Sequence, residues 1–66
     1  MGQITRHDAD ALEAMIDRTS LLAVVTTLME ICYGKAQHLE ENWQDRRAAK
    51  SWEQDGNALD RVKLNN

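Results

Sequence analysis

Proline is missing from this chain, and glycine, cysteine and aromatic residues are scarce: 66 residues hold three glycines, one cysteine, two tryptophans and one tyrosine. Each shortage excludes something. Without proline no segment is barred from continuing as a helix, and with few aromatics an all-helical chain is favoured over a sheet. A lone Cys32 rules out an internal disulfide, and two scattered histidines offer no zinc-type cluster. A chain of this length buries only about 60% of the surface its unfolded form exposes, so its core needs a supplement. With disulfide and metal set aside, self-association is the remaining route. A long uninterrupted apolar run is missing too. The central apolar face is broken by Thr26, Thr27, Glu30 and Lys35, so no membrane span is expected. Met1 to Asp10 lacks the apolar core of a secretory signal, and Arg6 stands where the myristoylation pattern wants Ser or Thr. The expected location is cytoplasmic.

What the chain does have is ordinary globular composition, 42% hydrophobic and 29% charged, with a net charge of −3. The charge is uneven. Residues 1–34 carry two basic and five acidic groups, whereas residues 35–66 carry six of each. Neither half is a strong polyelectrolyte.

The most informative stretch runs from Ser20 to Trp43 and reads as one long helix. At roughly 100° per residue, Leu21, Val24, Val25, Leu28, Ile31, Cys32, Ala36 and Leu39 share one face. Leu22, Met29 and Tyr33 widen that face to about half the circumference, more than one short helix covers. A shorter helix precedes it, from about His7 to Arg18, started by a Thr5–Asp8 capping pair and expected to bury Leu12, Met15 and Ile16, with Ala9 at the edge of that stripe. Thr19 or Ser20 caps the long helix. Gly34, on its polar side, marks a bend or leaves room for a close neighbour, and the helix is expected to continue through it. Trp43-Gln44-Asp45 reads as a turn, with Asp45 capping a third helix from about Arg46 to Val62. The inward stripe of that helix is Ala48, Ala49, Trp52, Gly56 and Leu59. The expected fold is therefore one small all-α domain of three helices: a short first, a long second and a third that folds back on the second as an antiparallel hairpin. Two copies would dimerise into a four-helix-type bundle. The residues expected at the seam are Leu22, Val25, Met29, Cys32, Tyr33 and Trp43.

No set of side chains converges on a recognisable chemistry. His38 with Glu41 and Glu30 lies on one helical flank, but the residue three before His38 is Lys35, so the Glu-x-x-His pattern of di-iron bundles fails. Cys32 sits mid-face with no second thiol and reads as a buried structural thiol. Lys35 projects into the apolar arc, and its long stem suits a side chain that lies along apolar surface with its ammonium outward. His7-Asp8 is better explained by helix capping than as a metal dyad. Arg46, Arg47, Lys50 and Arg61 gather on the outer side of the third helix, where they suit phosphates or an acidic partner, though Glu53, Asp55 and Asp60 dilute them. A helix-turn-helix would require Gly34 to break the second helix, and the Lys35–Trp43 reading helix so formed would carry two acids and one lysine. The functional expectation is a non-enzymatic helical interaction or scaffold protein acting as a homo-oligomer, with no metal and no cofactor. The alternative is a nucleic-acid-associated regulator using the basic residues of the third helix.

Overall fold

The computed structural model describes residues 2–65 except Gln44, with the side chain of Trp43 also left aside. Three α-helices follow one another: α1 (Arg6–Arg18), α2 (Leu21–His38) and α3 (Arg46–Asp60). A five-residue π-helical turn, Leu39–Trp43, extends α2. No strand occurs among the described residues.

Local chemistry starts each helix. Thr5 and Asp8 form a reciprocal capping box: Thr5 Oγ1 accepts from the Asp8 N–H at 3.1 Å and Asp8 Oδ2 accepts from the Thr5 N–H at 3.2 Å. Ser20 Oγ accepts from the Ala23 N–H at 2.9 Å, so α2 begins with only Thr19 and Ser20 between it and α1. Asp45 Oδ1 does the same for Ala48 at 3.1 Å. Gly34 lies inside α2 without interrupting it. A Cβ built there meets nothing within 4 Å, so this glycine admits no close neighbour. The helix instead changes character after His38, where the turn widens and the Asp45 N–H reaches back to the Leu39 carbonyl at 3.1 Å.

The α2–α3 pair is an antiparallel hairpin. Tyr33 meets Gly56 and Asn57, while Lys35, further along α2, meets Trp52, earlier on α3. The expected stripe on α3 is the one that packs: Ala49 and Gly56 are buried, and Ala48, Trp52 and Leu59 are half-buried, while every other residue of that helix is exposed. Opposite them, Cys32 and Ala36 are buried one turn apart on α2. α1 lies on another side of α2 and has no buried residue.

The burial is shallow. Among the described residues the buried apolar side chains are Cys32, Ala36 and Ala49, all small, while Leu12, Met15, Leu22, Leu28 and Ile31 are exposed. The molecule measures 37 × 26 × 15 Å. The radius of gyration, 13.7 Å, exceeds the roughly 11 Å of a globule of this length.

Candidate interaction surface

The apolar face of α2 divides into two stripes about a third of a turn apart on a helical projection. One stripe, Val25, Met29, Cys32, Tyr33 and Ala36, looks towards α3. None of its members is fully exposed, and Tyr33 is engaged twice: its hydroxyl donates to Asn57 Oδ1 at 2.7 Å, and its ring lies against the backbone at Gly56. A Cβ added at Gly56 would stand 2.6 Å from Tyr33 Cε1, so only glycine admits the ring at that distance.

The other stripe, Val24, Leu28 and Ile31, faces α1. With Leu12 and Met15 of α1 it walls an open groove of about 320 Å³. Ala23, Thr19 and Thr27 complete the lining, and no charged residue enters it. Both threonine hydroxyls are already bonded inside their own helices, Thr19 Oγ1 to the Met15 carbonyl at 2.7 Å and Thr27 Oγ1 to the Ala23 carbonyl at 2.9 Å. The groove is therefore apolar in fact as well as in composition: nothing on its walls needs water to satisfy it.

Several residues singled out in the sequence fall elsewhere. Of the expected seam residues, Leu22 is exposed at 52% on the side of α2 away from the groove, and Val25 and Met29 are half-buried. Cys32 and Tyr33 belong to the contact with α3, and the Trp43 side chain lies outside the described residues. Lys35 is exposed, with its ammonium 5.6 Å from the centre of the Trp52 ring, a cation–π geometry worth about 0.5–1 kcal/mol at an exposed site. Ile31, Lys35, His38, Leu39 and Trp52 line a shallower recess beside it.

Arg46, Arg47 and Lys50 are exposed on α3, and Arg61 is exposed at its C-terminal cap. Arg46 and Lys50 share a recess with Glu40 and Glu53, so their field is partly cancelled by acids, one of them from the π-turn. His38 and Glu41 each have a neighbour on the same helical run. His38 Nδ1 stands 3.0 Å from Asn42 Nδ2, and Glu41 Oε1 accepts from Gln37 Nε2 at 3.1 Å. Among the described residues no group of three or more His, Cys, Asp and Glu side chains is placed to hold a metal ion. No helix is long and apolar enough to cross a membrane among these residues.

What the sequence left unread is the groove. Its residues were legible as apolar, but periodicity gives the angle of a side chain on its own helix and not the identity of the element it meets. Comparison with family models, curated proteins and solved structures finds no match to this chain.

Proposed function

We propose that this chain is a non-enzymatic helical interaction protein that acts as a homo-oligomer. The observation that carries this reading is the mismatch between what is buried and what is not: among the described residues the three buried apolar side chains are small, while five large ones on α1 and α2 stand in contact with solvent, four of them along the α1–α2 groove. Exposed apolar surface gathered along one groove is the ordinary mark of an association site. The basic residues of α3 fit a nucleic-acid role less well. They are interleaved with Glu40 and Glu53, and the chain is acidic overall with a net charge of −3, so phosphate attraction is weak.

Sedimentation equilibrium across a dilution series tests the reading directly. The expected mass is that of two or more chains at micromolar concentration, with helix content and thermal midpoint falling together on dilution. A fully helical, cooperatively melting monomer at that concentration would overturn it.

A further inference from the structure

We infer that a second copy of this chain occupies the α1–α2 groove, so that two copies meet across a two-fold axis with their α1 and α2 helices at the seam and both α3 helices away from it. The inference rests on the homo-oligomer reading and adds the location of the seam.

The area decides the occupant. The chain exposes 5719 Å², where a folded monomer of 7.5 kDa should expose about 4,200 Å². The excess, about 1,500 Å² by that scaling, lies within the roughly 1,000–2,500 Å² that each subunit of an obligate homodimer buries. The excess belongs to the whole chain, and Leu12, Met15, Leu28 and Ile31 along the groove are where its exposed large apolar side chains gather; a small ligand in about 320 Å³ would leave most of the excess in water. A second copy brings the same groove to the seam, so one contact covers the large apolar side chains of both chains, and helix on helix is how an apolar face is enclosed.

Shape and chemistry point the same way. A two-fold seam must be self-complementary, each copy offering both the knob and the hole. Here the knobs, Leu28 and Ile31, stand 42% and 48% exposed on the same face that carries the hollow between them and Leu12 and Met15. The lining holds no charge to be desolvated, and its threonine hydroxyls keep their helix-carbonyl partners after burial. The opposite flank lacks these features. Cys32 is already buried and Tyr33 is held by Asn57 and Gly56, leaving Leu22 as the large apolar residue presented there.

Two variants and one spectrum test the seam on the full chain. Leu28→Arg should weaken self-association by at least about 30-fold, the loss of a hot-spot residue, while Leu22→Arg should change it less than about threefold. Because Leu28→Arg chains can unfold when they part, the unaltered protein supplies the second readout. In a mixture of carbon-13-labelled and unlabelled chains, filtered NOE spectra should show contacts between copies from the Leu28 and Ile31 methyls to those of Leu12 and Met15. A dimer whose inter-copy contacts come from Leu22, Val25 and Met29, or one that tolerates Leu28→Arg, overturns the seam and leaves the oligomer standing. A folded monomer overturns both.

Discussion

α2 meets its two neighbours in opposite ways. Against α3 it sets small residues, Cys32 and Ala36 opposite Ala49 and Gly56, and the backbones come close enough for a tyrosine ring to rest on a glycine. Against α1 it sets large ones, Val24, Leu28 and Ile31 opposite Leu12 and Met15, and the side chains hold the helices apart around a groove. The first contact is complete within one chain. The second stays open: bulky residues on both walls leave a hollow that no other described residue of the same chain fills. Side-chain volume thus separates a closed joint from an open groove, although both are lined by apolar residues.

Substitutions at the tight joint sharpen that contrast. Gly56→Ala should have the largest effect, since the new methyl would meet the Tyr33 ring at 2.6 Å and force it aside. Overpacking of this kind costs about 1–3 kcal/mol, and a double-mutant cycle with Tyr33→Ala should recover part of the loss. If Gly56→Ala melts like the parent protein, the joint is looser than described. Gly34→Ala is the matched control, a glycine with nothing within 4 Å of its added carbon. It should raise stability by about 1 kcal/mol through helix propensity, seen as a higher melting midpoint at equal protein concentration. A loss there would mean a neighbour closes on Gly34. The smallest effect should come from Tyr33→Phe, which removes the hydrogen bond to Asn57 and keeps the ring; a drop of about 0.5–1 kcal/mol in denaturant titration is expected.

Much of this architecture was legible in the residues because it is local. Thr5, Ser20 and Asp45 announce helix starts through side chains three residues from the amides they satisfy, and the stripe on α3 follows from a period of 3.6 with small residues around Trp52. Lys35 lying outward along an aromatic ring follows from its long stem. The π-turn after His38 was not legible, since it depends on how far α2 must widen before α3 can return. Nor was the division of the apolar face. Cys32 and Tyr33 share an arc with Leu28, and only the positions of α1 and α3 in space separate residues that close the hairpin from residues that stay open. The acids beside Arg46 and Lys50 come partly from Glu40, distant in helical phase from α3, so the weakness of that basic patch also emerges only in three dimensions.

The rest of Tyr33 against Gly56 also settles alignment. Shifting α3 by one turn along α2 would place Trp52 or Asp60 opposite the ring, a bulky indole or a carboxylate that would have to shed water, and neither leaves the notch that glycine provides. A shift of three residues offers Glu53 or Leu59, with the same result. One missing side chain therefore acts as a key cut for a single registration, and a hairpin of otherwise forgiving alanines is kept from sliding.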